Sequence, residues 1–516
     1  MNDKPKTKWC WRLLRWGLIA LAVLATLVAV LVTEEDWRGK RDWENVKRAA
    51  EASGERFDLT SMVPPPVPDD QNFFCAPIVA STLLWQENQN IDASEAHAAD
   101  AIHQLIFEIY RGNSDNWPND DGNWQKGRFT DLKQWQHYFR NYAKSLEGNT
   151  NDFPIANQPQ TPAKDVLLAL GIFDPATEEL RKASRRPYAR LPLDYDNGFD
   201  EVGKLLPYLT NMKRTAQFLQ LRILAELGDG QSAQALDDVK LLFKVNDSIR
   251  NQPFLISHLV RIAIVAIALQ PVYEGLAQHC WNDAQLDELE QLLAKQDFLA
   301  DFELAMRGEK IFAIQTLEKQ RITRESQIIE EVSGTNKIVT ISYRFIPSAF
   351  FYQNELAVAQ MHQEYILPMV DLTNRMAAPA MQRTAQASLQ AQMKHYSPYK
   401  ILALMTFPAI STAVMKFARV QSQLNLARVA CALERYHLAH GEYSETLDVL
   451  APQFIAQLPH DIINGQPLHY HRTADGQFML YSIGWDEKDE DGKVYLNKSG
   501  TVDPQKGDWV WRYPQK

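Results

Sequence analysis

The N-terminal end of the chain carries its longest apolar run. Residues 13–32 are apolar except for Arg15, with basic residues before them and three acidic residues at 34–36. About twenty apolar residues in a helix cross the roughly 30 Å hydrocarbon core of a bilayer. Because basic flanks stay in the cytoplasm, we predict a cytoplasmic tail over residues 1–12, a transmembrane anchor over residues 13–33, and a bulk outside the cytoplasm.

A cleaved signal peptide is the alternative interpretation of this run. The apolar core of a signal peptide covers about 7 to 15 residues and ends at small residues of the A-x-A kind. Here the run is longer and ends in Val30-Leu31-Val32. The pattern therefore favours an uncleaved anchor with a single span.

Residues 34–72 predict a stalk followed by a proline-rich linker. Residues 35–55 combine both charge signs with helix-forming residues, which is typical of a solvated helix. The stretch 63-VPPPVP-68 excludes helix and favours a stiff polyproline II strap.

Residues 73–409 carry helical periodicity and predict a large helical domain. Two periodic runs within residues 217–249 flank a Gly-Asp-Gly turn, which predicts a helix hairpin. Residues 254–273 are apolar on most faces, but His258 and Arg261 interrupt them, so we expect the buried centre of a bundle. A tetratricopeptide-like or other α-solenoid unit is the alternative to a plain bundle.

Two further local patterns lie in this region. Asn282 followed by Gln285 matches a capping box at the start of a helix. β-Branched residues over 328–345, with a turn at 334–336, predict a hairpin.

Residues 410–516 predict a small α+β module. A long helix over 410–440 should end at Gly441, and alternating strands over 468–472 and 478–482 should pair through a turn at 473–476. The predicted fold class is therefore mainly α. It comprises an N-terminal transmembrane helix, a large extracytoplasmic region of helical hairpins or a bundle, and this module with its short antiparallel sheet.

Composition excludes one class of partner and adds little chemistry. The 516 residues carry a net charge of −10, so no excess of basic residues exists to neutralise a nucleic-acid backbone. The cysteines Cys10, Cys75, Cys280 and Cys431 are too widely spaced for a metal motif, and we expect free thiols rather than a disulfide framework.

Histidines form the main concentration of candidate soft ligands. His437 and His440 lie at the end of the long helix, and His469 and His471 share one side of a predicted strand. A zinc site could be drawn from these pairs. The chain otherwise lacks the common hydrolase, zinc-protease and nucleotide-binding motifs.

The stretch 481-YSIGWDEKDEDGKVY-495 gathers acidic residues around Gly492. With Gly492 at position six of an EF-hand loop, Lys498 stands where the bidentate glutamate belongs, so the loop is not an EF-hand. Calcium bound in another geometry and a solvated acidic turn remain as alternatives, and the calcium hypothesis involves Asp486, Asp489, Asp491 and Asp508.

The C-terminal module resembles the corresponding part of type II secretion major pseudopilins. The matching elements are, in order, Tyr436, Gly441-Glu442-Tyr443, Leu447, Pro459, Asp461, Gly465, Tyr470, Tyr481-Ser482-x-Gly484-x-Asp486 and Gly507-Asp508-Trp509. In that family the loop after the Ser-x-Gly-x-Asp element binds calcium, which by resemblance points to Asp486 and Asp508. The chain departs from the family because residues 13–32 contain no glutamate and residues 34–409 separate the apolar helix from the module.

The chain as a whole also resembles an uncharacterised family of bacterial single-pass membrane-anchored proteins. This resemblance implies the bacterial inner membrane, with a cytoplasmic N-terminus and a periplasmic bulk. The resulting hypothesis is an extracytoplasmic scaffold that binds a protein partner and has no evident catalytic activity. The alternatives are an accessory component of a type II secretion or pilus-like system and a metal-dependent envelope hydrolase.

Overall fold

The protein is mainly helical, with a small sheet region near its C-terminus. The computed structural model describes residues 6–84, 118, 122–141, 153–195, 199–324, 345–394 and 397–514. Within these residues the helices are α1 (Lys6–Ala52), α2 (Pro77–Leu84), α3 (Leu132–Asn141), α4 (Pro162–Leu170), α5 (Asp174–Ser184), α6 (Phe199–Gly228), α7 (Ser232–Ser248), α8 (Leu255–Ala277), α9 (Asp283–Ala294), α10 (Phe298–Thr323), α11 (Ser348–Met361), α12 (Pro379–Lys394) and α13 (Ile401–His440). The hairpin predicted over 328–345 lies almost wholly outside the described residues.

The strands are short and occur in antiparallel pairs. They are β1 (Val370–Asp371), β2 (Met376–Ala377), β3 (His469–Arg472), β4 (Phe478–Ser482), β5 (Val494–Leu496), β6 (Val502–Gly507) and β7 (Trp509–Arg512). β1 pairs with β2, β5 pairs with β6, and β3, β4 and β7 form a three-stranded sheet in that order.

The chain divides into two compact units, each assembled from three separate ranges. The first unit comprises residues 1–58, 310–364 and 386–409, and the second comprises residues 59–309, 365–385 and 410–516. The domains expected from sequence were contiguous ranges. Contacts between distant segments, which no local pattern records, produce this division instead.

In the first unit, α1 runs without a break from the apolar stretch into a packed position against α11. Its apolar residues are exposed, as expected of a helix compatible with a membrane anchor. Farther along, Asp36 Oδ1 accepts a hydrogen bond from the backbone N of Ala349 at 2.6 Å, and Trp43 is only 6% exposed. Part of the predicted stalk therefore buries one face, because a helix of mixed polarity can pack as well as face water.

Among the described residues, three helices are apolar and long enough to cross a membrane by length and composition alone: α1, α8 and the helix that ends at His440. The most apolar windows of α8 and of the third helix are each 56% buried within the protein. In α8, Ile264, Val265 and Leu269 are fully buried. This agrees with the prediction that residues 254–273 form a bundle centre.

In the second unit, the predicted hairpin is confirmed as α6 and α7, which flank the turn at 228–231. The capping box is confirmed as well. Asn282 Oδ1 accepts from the backbone N of Gln285, and Gln285 Oε1 accepts from that of Asn282, both at 2.9 Å. These bonds satisfy amides that the first turn of α9 leaves without helical partners.

Arg261 of α8 is fully buried in the second unit and joins several segments. It forms an ion pair with Asp301 of α10, and its guanidinium donates to Gln296 Oε1 at 3.1 Å and to the carbonyl O of Asn246 at 3.3 Å. Burial raises the pKa of Asp301, and the charge of Arg261 counteracts that shift. The apolar helix α8 thus places one cation, Arg261, in the core, and its counter-ion is Asp301 of α10.

The C-terminal sheet confirms the predicted strands and turn. Tyr470 of β3 lies opposite Leu480 of β4, and the turn between the strands closes through a hydrogen bond from Gly476 N to Thr473 O at 3.0 Å. Strand β7 contacts the end of α8, where the Tyr273 hydroxyl donates to the carbonyl O of Arg512 at 2.9 Å. The sheet therefore packs on α8 as well as near the long helix α13.

We predict that Arg261→Met lowers the free energy of unfolding by up to about 3–5 kcal/mol, because the substitution removes the closest cation from the buried carboxylate of Asp301 and leaves only Arg250, whose Nε lies 3.7 Å from Asp301 Oδ1. Chemical unfolding of the full chain in detergent, followed by tryptophan fluorescence, measures this change. Lys182→Ala is the control, since the Lys182–Glu179 pair is exposed. The double variant Arg261→Met/Asp301→Asn should recover part of the loss, and equal loss in the control would contradict the assignment.

Candidate functional site

The acidic loop is held closed by two glycines in left-handed backbone conformation. Gly484 has φ +71° and Gly507 has φ +75°. A Cβ added at Gly484 would lie 2.1 Å from the carbonyl O of Gly507, so only glycine permits this close approach. The approach brings the segment after β4 beside the segment that joins β6 to β7.

Asp508 is the most enclosed carboxylate of this loop. It is only 2% exposed, and its Oδ2 accepts hydrogen bonds from the backbone N of Gly492 at 2.8 Å and from those of Glu490 and Lys493 at 3.2 Å each. Burial raises the pKa of Asp508 to about 6, and the three amide donors counteract this shift. The loop is therefore built around this side chain.

Asp486 lies beside the segment that carries Asp508. Its Oδ2 accepts from the backbone N of Gly507 at 3.2 Å. Three buried carboxylate oxygens here have no hydrogen-bond partner among the described residues: Asp486 Oδ1, Glu490 Oε2 and Asp508 Oδ1. Glu490 was missed by the sequence analysis, because its spacing from Asp508 carries no recognisable pattern.

Asp489 and Asp491 lie in the same loop but are exposed. Asp489 Oδ1 accepts from the Tyr481 hydroxyl and from the backbone N of Asp491, both at 3.1 Å, and its Oδ2 lies 3.5 Å from His469 Nδ1. Its carboxylate is therefore already engaged in the loop.

The donor chemistry of the loop fits calcium. Ca²⁺ takes six to eight hard oxygens from carboxylates, carbonyls and water, and the unpaired oxygens of Asp486, Glu490 and Asp508 are of that type. These three side chains do not form a described group whose ligand atoms all lie within 4.8 Å of one another. Backbone carbonyls would have to complete such a site.

The four predicted histidine ligands do not form such a group within the described parts of the chain. His440 Nδ1 lies 2.9 Å from the carbonyl O of Tyr436, and its ring stacks on Tyr436 with centroids 4.0 Å apart. His469 stacks on Tyr481 at 4.8 Å, and His471 is exposed. Of the four, His437 alone belongs to a cluster, with different partners.

That cluster consists of His279, Glu434 and His437. It is the one group of three or more His, Cys, Asp or Glu residues, in the part of the chain that the structure describes, whose ligand atoms all lie within 4.8 Å of one another. His279 Nδ1 donates to Glu434 Oε1 at 2.6 Å, and the rings of His279 and His437 stack with centroids 5.0 Å apart. We refer to these residues as the His-Glu-His cluster.

The cluster is assembled from distant parts of the chain. Glu434 and His437 lie one turn apart on α13, a spacing that puts them on one face and that sequence inspection could have noted. His279 follows α8 at φ +55°. Backbone bonds from His279 N to Leu276 O and from Cys280 N to Gly275 O close the helix end, so His279 takes the left-handed position where glycine is usual.

The cysteines that the structure describes form no disulfide bond. Cys75, Cys280 and Cys431 are free, in agreement with the expectation from spacing. Burial is the main cause of the raised pKa of each thiol, so these groups are not activated nucleophiles.

Comparisons with protein-family models, with curated proteins and with solved structures gave no match to this chain.

We predict a specific pH dependence for Asp508 in metal-free buffer. Its folded-state pKa of about 6 exceeds the ordinary value of 3.8, so the folded state binds this proton more tightly than the unfolded state. The stabilising contribution is therefore complete below the unfolded pKa and is lost as the pH rises through about 6. The unfolding midpoint of the wild type relative to Asp508→Asn should accordingly fall between about pH 4 and pH 7.

Thermal unfolding across this pH range measures the effect. Asp491→Asn is the matched control, because Asp491 is an exposed acid of the same loop at φ +56°, a conformation that asparagine adopts readily. A midpoint difference between the wild type and Asp508→Asn that stays constant with pH would contradict the assignment.

Proposed function

We propose that this protein is a membrane-anchored scaffold of the bacterial envelope, whose helical body binds a protein partner and has no catalytic activity of its own. The observation that carries the proposal is the continuity of α1 from Lys6 to Ala52. One helix is exposed and apolar over its first part and packed into the first unit over its second. A body fixed in this way stays close to the membrane surface.

The packed part of α1 and the residues just after it make several independent contacts within the first unit. Gly39 approaches so closely that a Cβ there would lie 3.4 Å from Ala349 Cα. Trp43 meets Phe57 edge to face at 5.7 Å, and Glu55 Oε2 pairs with the buried Lys310 Nζ at 2.6 Å. These contacts support a rigid attachment of the anchor rather than a flexible tether.

The charge distribution supports one orientation of the anchor. Basic residues precede the apolar run, and acidic residues follow it. By the positive-inside rule the N-terminus lies in the cytoplasm and the bulk in the periplasm, with the inner membrane as the site of insertion. The helix hairpin formed by α6 and α7 supports a binding role, since helical hairpins commonly present extended surfaces to partner proteins.

A role as an accessory component of a type II secretion or pilus-like system is the second candidate. It is favoured by the arrangement at the C-terminus, where α13 precedes a small antiparallel sheet and Asp486 lies beside the Gly507–Asp508 segment. The resemblance of this region to type II secretion major pseudopilins supports the candidate.

Crosslinking from one side of the membrane tests both orientation and partner binding. A membrane-impermeant amine-reactive reagent added to spheroplasts should join the full chain to one or more envelope proteins, which are then purified with it and identified. Inside-out vesicles of a variant with Lys4, Lys6 and Lys8 replaced by arginine are the control and should yield no such adducts, because the cytoplasmic tail then carries no lysine. Recovery of secretion proteins would favour the second candidate.

Two results would contradict the scaffold proposal. Adducts obtained from inside-out vesicles alone would overturn the orientation. Reaction of the chain with the reagent in spheroplasts, without any crosslinked protein, would contradict partner binding.

We further propose that calcium binds at the acidic loop and stabilises it. Asp486, Asp508 and Glu490 would supply ligands. The exposed Asp489 and Asp491 add negative charge to the same loop. The ion would neutralise carboxylates of the loop, and it would satisfy the buried oxygens of Asp486, Glu490 and Asp508. Its role is structural, since it fixes the segment between β4 and β5.

We predict that calcium raises the unfolding temperature of the full chain. At a calcium concentration one hundred times its Kd, the free energy of unfolding should increase by about 2.7 kcal/mol. Calorimetric titration of detergent-purified protein measures binding directly. Asp508→Asn should abolish binding, while Glu487→Gln removes one charge from the same loop at an exposed residue paired with Arg383 and should retain it. Absence of both heat and thermal shift in the wild type would refute the calcium site.

A further inference from the structure

We propose that the His-Glu-His cluster binds a divalent transition-metal ion, with Zn²⁺ the best match. The ligands are His279, Glu434 and His437, all in the second unit. The site is distinct from the acidic loop, and of the four histidines expected from sequence it shares His437 alone.

The donor set selects the class of metal. Two imidazoles and one carboxylate suit zinc and its first-row neighbours, whereas calcium prefers oxygen ligands alone. Three protein ligands with tetrahedral geometry leave a fourth position for water. The side chain of His279 is 37% exposed, so the cluster is open to ions and water from one side.

His437 gives the most direct indication of a missing ligand. Its Nδ1 is buried and has no hydrogen-bond partner among the described residues. Burial removes the hydrogen bonds that an imidazole nitrogen makes to water, and without a partner in the protein this loss is not compensated. A metal ion bound by Nδ1 of His437 together with Glu434 and His279 would provide the partner that this nitrogen otherwise lacks.

Glu434 is held as a metal-ligating carboxylate commonly is. It is fully buried, and its Oε2 accepts a hydrogen bond from the Tyr443 hydroxyl at 2.9 Å. This bond fixes the carboxylate and leaves Oε1 turned towards His279. Hydrogen bonds of this kind orient metal ligands and tune their affinity.

Aromatic rings form the wall behind the cluster. Tyr443 stacks on the His437 ring with centroids 4.7 Å apart and meets Phe478 at 4.9 Å. Phe478 in turn meets Tyr513 at 5.2 Å. An apolar wall strengthens the attraction between Glu434 and a bound cation, because it keeps water from one side of the site.

The competing explanation is an ion pair between His279 and Glu434 without a metal. It accounts for the 2.6 Å bond but not for the buried nitrogen of His437. The two explanations differ in whether His437 is needed.

Zinc binding to the full chain tests the proposal. Protein purified in detergent is treated with a chelator, dialysed and titrated with Zn²⁺ by calorimetry, with excess Ca²⁺ present to occupy any oxygen site. We expect one Zn²⁺ per chain. Replacement by Co²⁺ should give the visible absorption of a tetrahedral site with nitrogen and oxygen ligands.

The variants separate the ligands from their surroundings. His279→Gly removes a ligand and relieves the left-handed backbone, so it should fold normally while binding Zn²⁺ at least about 100-fold more weakly. His437→Gln should behave alike, and Tyr443→Phe should weaken binding about 10-fold by freeing the carboxylate. His440→Gln is the matched control on the same helix end and should leave the affinity unchanged.

Three outcomes would overturn the proposal. If circular dichroism shows that the wild-type protein is folded and it still binds no Zn²⁺, the cluster is an ion pair without a metal. Unchanged binding in folded His279→Gly or His437→Gln would place the metal elsewhere. Equal loss in His440→Gln would point to the surface histidines instead.

Discussion

The second unit depends on the neutralisation of one buried cation, Arg261. Helix α8 is apolar enough to be mistaken for a membrane span, yet this arginine lies at its fully buried face. A guanidinium in such a place is tolerated only when its charge and its donors are satisfied. Asp301, Gln296 and the carbonyl of Asn246 meet that requirement, and they come from segments on either side of α8 in the chain. The ion pair therefore fixes how α7, α8 and α10 pack together.

Because α8 is fixed by this pair, its C-terminal end is fixed as well. Tyr273 there holds strand β7, and His279 is turned towards α13 by the backbone bonds that close the helix. Glu434 then accepts a hydrogen bond from His279 at Oε1 and another from the Tyr443 hydroxyl at Oε2. The buried carboxylate of Glu434 on α13 thus gains its partners beyond the C-terminal end of α8. Together with His279 and His437 it forms the candidate metal site.

The first unit follows a different physical logic. Its helix α1 changes from a fully exposed apolar surface to a packed one without any break in the backbone. Lipid would cover the exposed part, α11 packs against the other part, and Lys310 pairs with Glu55 just beyond the end of the helix. The scaffold proposal rests on this continuity, whereas the two candidate metal sites belong to the second unit and bear on stability and chemistry.

The sequence by itself determined what depends on neighbours along the chain. The apolar N-terminal helix, the α6–α7 hairpin, the capping box at Asn282 and the β3–β4 pair all follow from short-range periodicity, caps and turns, which act within a few residues. The pseudopilin resemblance, rather than local periodicity, points to Asp486 and Asp508 as one candidate site. Tertiary structure alone decided that Glu490 joins them, that His440, His469 and His471 lie apart, and that His437 meets His279 and Glu434. Such encounters depend on how buried charges are paired across distant helices, and neither charge pairing nor left-handed closure at His279 leaves a periodic trace in the residues.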